Sequence, residues 1–590
     1  MYGRAMSSLD DEPDGPDGPD GPEAREHGGV HALRAARAHG VTTLFTLSGA
    51  HVFPLYDAAV GGAAGFASAG DARRAAETAN PRLLDVRHEA TAAFAAEGTG
   101  RLTRRPGLAV VTAGPGVTNV VSAVTSAHFN GAPLVVIGGR SPDFRAGSGA
   151  LQELDQPPLL APITKHSSTV HHADMIGQAA EEAFTIAGAA HRGPVFLDIP
   201  MDVLYTPTPS AAPADPDSLR TPTAPDRCPD PDLLDAVAAL LAESAHPVLV
   251  LSTDVWADGA EHAARRFAEE LGLPTFTTGL GRGILPRGHD LLVTRARSTA
   301  FAEADLVIVA GAPLDFRLAY GRFGSRDRAT TVVHLVDSAS QSAAHASNHT
   351  TTVAGDLSAI FDGILLSWAT LVRRPSFAQW ATRLRGLDLA ARADDASLLH
   401  SESDPIHPAR IYGELLPRLT DDTVVIGDGG DFVSFAGRFI EPAAPGRWLD
   451  PGPYGCLGSG LGYAIAARLA HPSSPVVLLL GDGAAGFSLM DVDSLVRHRL
   501  PVVMVMGNNS GWGLERHPMR FLHGYDVITD LNPAVRYDEV VVALGGGGER
   551  VTAADQIGSA LDRALASGIP YLVDIATDPE ATYPRTTTGL

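Results

Sequence analysis

Residues 475–513 read PVVLLLGDGAAGFSLMDVDSLVRHRLPVVMVMGNNSGWG. Val476–Leu480 forms an unbroken apolar run of the kind that makes a strand buried on both faces, and it stops at Gly481-Asp482-Gly483. Leu489, Val492 and Val496 then recur at helical spacing, and Val502–Met506 is a second buried run ending in Asn508-Asn509. The reading is a βαβ unit. Its right-handed crossover makes the two strands parallel, so Asp482 and Asn509 leave the sheet on the same edge.

A carboxylate and an amide oxygen brought together suit a hard cation such as Mg2+, which takes its remaining ligands from water and phosphate. Gly483-Ala484 opens a helix whose exposed N–H groups and dipole favour phosphate. A tight strand-to-helix turn would explain Gly-Asp-Gly by itself. The complete βαβ unit ahead of the paired asparagines favours a Mg-diphosphate ligand.

Outward from this unit, the chain is too long for a single core: 590 residues with 45% hydrophobic content suggest about three or four domains. The pattern predicts an α/β protein of three doubly wound parallel-sheet domains. The first, 27–205, alternates strand and helix patterns through VTTLFTLSG, GLAVVTAGPGVTN, PLVVIGG and PVFLDIP. The third, 408–590, repeats this with TVVIGDGG, VVLLLGDG, VVMVMGNN and YLVDIAT. The central domain, 233–390, carries PVLVL, PTFTT and DLVIVAG, and its Gly279-Leu280-Gly281-Arg282-Gly283 reads as an ordinary glycine loop because it lacks the spacing of a dinucleotide fingerprint. Residues 1–26, with three Asp-Gly-Pro triplets, read as a disordered acidic tail, and 206–232 and 391–407 read as linkers.

A net charge of −23 argues against nucleic-acid binding, which needs a basic footprint. Lys165 is the only lysine, which we take as a compositional bias. Cys228 and Cys456 show no metal spacing and fit a reducing compartment. No apolar run reaches the roughly 18–20 residues of a membrane helix and no leader pattern opens the chain, so a cytoplasmic location without membrane attachment is expected.

Gly-Asp-Gly, this spacing and then Asn-Asn resemble the signature of thiamin diphosphate (ThDP) enzymes, in which the Asp and the second Asn hold the metal. The resemblance spans roughly residues 27–585 and is most similar to the acetolactate synthase and 2-hydroxyacyl-CoA lyase branch. It implies that Asp482 and Asn509 bind Mg2+ by their side chains and Gly511 by its carbonyl. It further implies that Glu89, in Arg87-His88-Glu89, is the acid that protonates the cofactor's aminopyrimidine, with Gly114 and Asn119 of Gly114-Pro115-Gly116-Val117-Thr118-Asn119 beside it. A lone Glu at a helix start would otherwise read as a dipole-favoured surface residue.

Leu457, in Gly455-Cys456-Leu457-Gly458, matches the apolar wedge that bends the cofactor; without the resemblance it is a core leucine. Gly430, Asp431 and Phe432 match backbone contacts to the diphosphate, as do Gly483 and Ala484. Gly49 and Ala50 offer N–H groups to an oxyanion near the substrate, Gln152 matches a substrate-facing glutamine, and His51 and His88 could shuttle protons, though most histidines are structural. The resemblance also implies a homodimer or dimer of dimers in which Glu89 of one subunit meets Asp482 and Asn509 of another.

For the reaction, the features divide. Met201 replaces the lysine of the synthases' Leu-Pro-Lys-Asp-Val, Pro518 stands where they carry a tryptophan for 2-ketobutyrate, and Arg317 retains the arginine that borders their FAD. The first expectation is a carboligase of acetolactate-synthase type acting on a small 2-keto acid, with ThDP, Mg2+ and possible FAD. The second is C–C cleavage of a 2-hydroxyacyl-CoA, or an oxalyl-CoA decarboxylase-like reaction, and the third is a non-catalytic protein of the same fold.

Overall fold

A computed structural model describes residues 25–61, 68–209, 227–325, 328–341 and 350–583. Residues 1–24 of the expected tail and 210–226 of the expected first linker lie outside the described residues.

Three parallel sheets organise the chain. The first orders its six strands Arg82–Asp85, Thr43–Thr46, Gly107–Val111, Leu134–Arg140, Pro194–Pro200, His166–Thr169. The third orders its six Trp448–Leu449, Val424–Asp428, Val476–Gly481, Val503–Asn508, Tyr571–Ala576, Gly547–Val551. Ranked by position in the chain, both read 2-1-3-4-6-5, so one topology is used twice. The central sheet of five, Thr275–Thr277, Pro247–Leu251, Leu306–Ala310, Thr331–Val336, Thr350–Ala354, is the flavodoxin-like 2-1-3-4-5. The middle strands of all three are buried along their whole length, as expected where helices cover both faces.

Several boundaries differ from the sequence reading. Arg25–His27 is a strand paired antiparallel with Pro207–Pro209, which draws two residues of the expected tail and the start of the expected linker onto the first domain. The stretch 391–407 is not a linker throughout. Helix Ala378–Leu399 runs through its first half, because Trp380 and Leu384 anchor it on the central domain while Asp395 pairs with Arg295 at 2.9 Å and with Arg438. Polar composition there reflects paired charge between domains. The single helix expected after Asp482 is three pieces, Asp482–Ser488, a 3-10 turn Leu489–Asp491, and Val492–Arg497.

The first and third domains meet through helices Glu89–Thr103 and Gly460–Ala470. Small residues allow the approach: a Cβ on Gly462 would lie 2.6 Å from Phe94 Cβ and 3.0 Å from Ala95 N, and one on Gly98 would lie 2.9 Å from Ala466 Cβ. Glu97 and Arg101 are buried at this seam, where Ser126 and Asn130 donate to Glu97 at 3.1 and 2.8 Å.

Candidate active site

The register of the third sheet sets Gly481 beside Gly507 and Asp428 beside Leu480, so Asp428, Asp482 and Asn508-Asn509 emerge at one edge. Asp482 is 3% exposed, and its Oδ2 accepts the N–H of Gly511 at 3.1 Å. Burial pushes its pKa up to about 6. Asn508 is turned inward, donating to Asp574 at 2.9 Å and accepting from Ser510 N at 3.2 Å. Asn509 has no side-chain hydrogen bond among the described residues. The two asparagines therefore divide the labour: the first locks the strand end and the second is free for a ligand.

Around this edge the backbone is bare. Gly430 and Gly455 take positive φ of 80° and 73°, and a Cβ on either would meet nothing within 4 Å. A Cβ on Gly429 would lie 2.0 Å from Leu457 Cδ2, so the missing side chain is what admits Leu457. Gly483 similarly lies under Trp512, whose Cζ3 would be 2.5 Å from its Cβ. Helix Gly430–Phe439 presents Gly430, Asp431 and Phe432 in its first turn. The Phe432 ring packs on Gly507 and its carbonyl accepts from Tyr412 Oη at 2.7 Å. Asp431 Oδ2 accepts from Tyr583 N at 3.2 Å.

The matching edge of the first sheet carries the other residues singled out in the sequence. Glu89 is buried at the first turn of helix Glu89–Thr103, where Asn119 donates to its Oε2 at 3.0 Å. Gly114, at φ 60°, packs against Gln152, itself at φ 61°. Gly49 crowds Thr112, with a Cβ position 2.3 Å from Thr112 Cβ, and exposed Ala50 follows. His51 bonds Thr112 Oγ1 at 3.0 Å, and burial lowers its pKa, while exposed His88 caps its helix by accepting Ala90 N at 3.1 Å. Both histidines thus have structural tasks. Among the described residues no hydrogen bond or ion pair joins Glu89 to Asp482 or Asn509 within the chain.

Three family descriptions match in order: thiamine pyrophosphate enzyme, N-terminal TPP binding domain, over 27–159; the central domain over 234–364; and the C-terminal TPP binding domain over 428–575. The chain belongs to the thiamine pyrophosphate enzymes. Relatives of this thiamine pyrophosphate enzyme include a probable acetolactate synthase of Mycobacterium bovis and an acetolactate synthase large subunit of Mycobacterium tuberculosis. Each is 43% identical over 561 residues, covering 95% of this chain and 97% of theirs. A 2-hydroxyacyl-CoA lyase 2 of Homo sapiens is 32% identical, covering 82% of this chain and 79% of its own. No helix among the described residues is long and apolar enough to cross a membrane.

The residues present fit a diphosphate-bound cation. A buried carboxylate with a raised pKa and an unpaired amide stand at one sheet edge, next to glycines whose missing side chains leave room.

Three further residues hold elements of this thiamine pyrophosphate enzyme in place; sequence reasoning gave Gln156 and Asp491 no role, and it matched the loop that Asp428 opens without giving Asp428 this task. Asp428 accepts from Gly458 N at 2.9 Å and Gly460 N at 3.0 Å, fixing the loop that carries Leu457, and burial pushes its pKa up to about 7. Its place at a strand end before two glycines is a signal that could have flagged it. Gln156 is fully buried, accepts from Gly114 N at 2.8 Å and donates to Gly139 O and Asp198 Oδ2 at 3.0 Å each. Asp491 accepts from Arg87 N at 2.7 Å and Thr91 Oγ1 at 2.6 Å, tying the Glu89 helix to the third domain, which accounts for the 3-10 turn there. Nothing in the sequence distinguishes Gln156 or Asp491 from surface polar residues.

Proposed function

We propose that this enzyme joins two pyruvate molecules into 2-acetolactate, releasing one CO2 and taking up one proton. The single observation that carries the synthase reading is 43% identity, over 95% of the chain, to relatives named acetolactate synthase. When bound, the thiazolium of thiamin diphosphate supplies a carbanion that adds to the substrate carbonyl and accepts the electron pair left by decarboxylation.

In this reading Asp482, Asn509 and the Gly511 carbonyl hold Mg2+, and the N–H groups of Gly430, Asp431, Phe432, Gly483 and Ala484 face the diphosphate. Glu89, held by Asn119, delivers and recovers a proton at the aminopyrimidine nitrogen. Leu457, fixed through Asp428, wedges the cofactor. Gly49, Ala50 and Gln152, with Gly114 behind, face the substrate. The domain of 27–205 takes the pyrimidine and that of 408–590 the diphosphate, and two copies of the chain complete each site. Exposed Phe487, Met490 and Phe521 in the third domain support this. The free cysteines Cys228 and Cys456 support a cytoplasmic location.

The central sheet's switch point holds a cavity of about 180 Å³ lined by Arg282, Arg297 and Arg317, with Arg317 paired to Asp315 at 2.7 Å. Three guanidinium groups suit a diphosphate. The volume is below the roughly 300–1,000 Å³ of ordinary ligand pockets, so the cavity itself matches the diphosphate part of a larger cofactor such as FAD. A flavin absorption band in the purified protein tests for FAD.

A second reading, cleavage of a 2-hydroxyacyl-CoA, is favoured by lyase relatives at 32–34% identity and by Met201 in place of a cation. One assay separates the two. Protein with thiamin diphosphate and Mg2+ is given pyruvate in one vessel and a 2-hydroxyacyl-CoA in another. Acetolactate from the first and no formyl-CoA from the second is expected; the reverse replaces the synthase by the lyase.

A further inference from the structure

Far from the sheet edge that carries Asp482, the first and central domains share a buried cluster. Asp254 lies in the short helix Thr253–Ala257 that follows strand Pro247–Leu251, and Asp337 directly after strand Thr331–Val336, at the carboxyl ends of the strands flanking Leu306–Ala310. His191 comes from the first domain, in the loop between helix Ile176–Gly188 and strand Pro194–Pro200. Its Nδ1 is 3.6 Å from Asp254 Oδ1 and 3.4 Å from Asp337 Oδ1, and the three donor atoms lie within 4.8 Å of one another.

Among the described residues these groups meet mainly one another: His191 Nδ1 stands within ion-pair distance of both carboxylates, but at 3.4 and 3.6 Å it completes neither. Asp254 and Asp337 are 3% and 1% exposed, yet Asp254 Oδ2, both oxygens of Asp337 and His191 Nδ1 are buried without a hydrogen-bond partner among the described residues. Buried carboxylates carry a heavy desolvation cost unless paired or metal-bound. The neighbouring cations do not supply the missing partners. Arg192 Nη1 stands 3.8 Å from Asp337 Oδ2 and 3.8 Å from Asp258 Oδ1, beyond hydrogen-bond range. Arg227 is committed to Asp258 through two bonds of 2.8 and 2.7 Å, and Lys165 Nζ donates to Ala189 O at 2.8 Å.

We propose that His191, Asp254 and Asp337 form a divalent-cation site of the Zn2+ class that staples the first domain to the central one. The donor set, one imidazole and two carboxylates, is that of a borderline transition cation and differs from the all-oxygen set at Asp482. A tetrahedral ion with bonds of about 2.0–2.1 Å spaces its donors by about 3.4 Å, close to both distances from His191 Nδ1. The fourth position is open to water, since the His191 side chain is 24% exposed. An orienting partner is in place as well: Gln341 Nε2 is 3.1 Å from His191 Nε2. Turning that amide over makes Nε2–H the donor to Gln341 Oε1 and leaves the Nδ1 lone pair for the ion. Gly131, at φ 58°, leaves room for the ring, since a Cβ there would lie 2.6 Å from His191 Cε1.

The test uses the full chain with thiamin diphosphate and saturating Mg2+, so that the diphosphate site is filled. Zn2+ is added, excess is removed by desalting, and metal content and thermal midpoint are measured. The parent should retain one Zn2+ per chain and melt at higher temperature with it, whereas His191→Gln and Asp337→Asn should retain none and show no Zn2+-dependent rise. Gln341→Ala, a change outside the ligand set, should weaken Zn2+ affinity by about 10- to 100-fold while leaving the Zn2+-free midpoint unchanged. No Zn2+ on the parent, or parental affinity in the His191 and Asp337 variants, overturns the site. Should either of those variants fail to fold, parental Zn2+ affinity in Gln341→Ala overturns it alone.

Discussion

Glu89, the proposed proton carrier, is buried at a helix start and held by a hydrogen bond from Asn119. Glu89→Gln keeps that bond and removes the transferable proton. Turnover should fall by about 100- to 10,000-fold with thiamin diphosphate affinity unchanged, as measured by steady-state kinetics beside calorimetric titration. Turnover within a few-fold of the parent would assign the proton elsewhere. Asp482→Ala separates the two readouts in the other direction: cofactor affinity should drop at least about 100-fold, since losing a direct ligand costs more than losing an outer one. Asp428 supplies a pH signature. Its folded pKa of about 7 lies well above the ordinary value near 3.9, so between about pH 4 and pH 7 the folded chain holds a proton that the unfolded chain has released. That contribution to stability is present below the window and is lost as pH rises through it. Asp428→Asn should remove it, so the parent's thermal midpoint should fall relative to the variant's across this range. Parallel midpoint curves would contradict the assignment.

At the scale of elements, the seam between helices Glu89–Thr103 and Gly460–Ala470 rests on glycines. A Cβ on Gly462 meets backbone, with Ala95 N and Thr91 O both at 3.0 Å, so a side-chain shift cannot relieve it. Gly462→Ala should cost about 1–3 kcal/mol in denaturant unfolding and lower turnover by displacing the turn that carries Glu89. Unchanged stability would mean that the helices have slack. The buried strands were legible in sequence because apolar runs on both faces leave few alternatives, and Val476–Gly481 and Val503–Asn508 start or end within a residue or two of expectation. The helix through 391–399 was not, because its charged residues look solvated until Arg295 and Arg438 are folded against them. The break at Leu489–Asp491 was hidden for a similar reason, since Asp491 turns inward to reach Arg87 and Thr91 some 400 positions away.

For the whole molecule, two copies of one topology flank a flavodoxin-like domain, and each copy brings proposed cofactor-binding residues to its sheet edge. Local motifs pointed to both sheet edges: Asp482 and Asn509 stand at adjacent strand ends, and Glu89 opens the helix that follows Arg82–Asp85. Gln156 acts through a contact distant in sequence that composition and spacing do not mark, whereas Asp428 stands at a strand end before two glycines, where a signal exists. The account requires that Glu89 of one chain serve Asp482 of a second. Mixing chains tests this directly: inactive Glu89→Gln protein is unfolded and refolded, or co-expressed, with inactive Asp482→Ala protein, and acetolactate from pyruvate is measured. In a two-fold dimer each hybrid has one intact site and one doubly altered, so an equal mixture should regain about a quarter of the parent's activity. Acetolactate formation no higher than the sum of the two separate variants would contradict a site shared between chains.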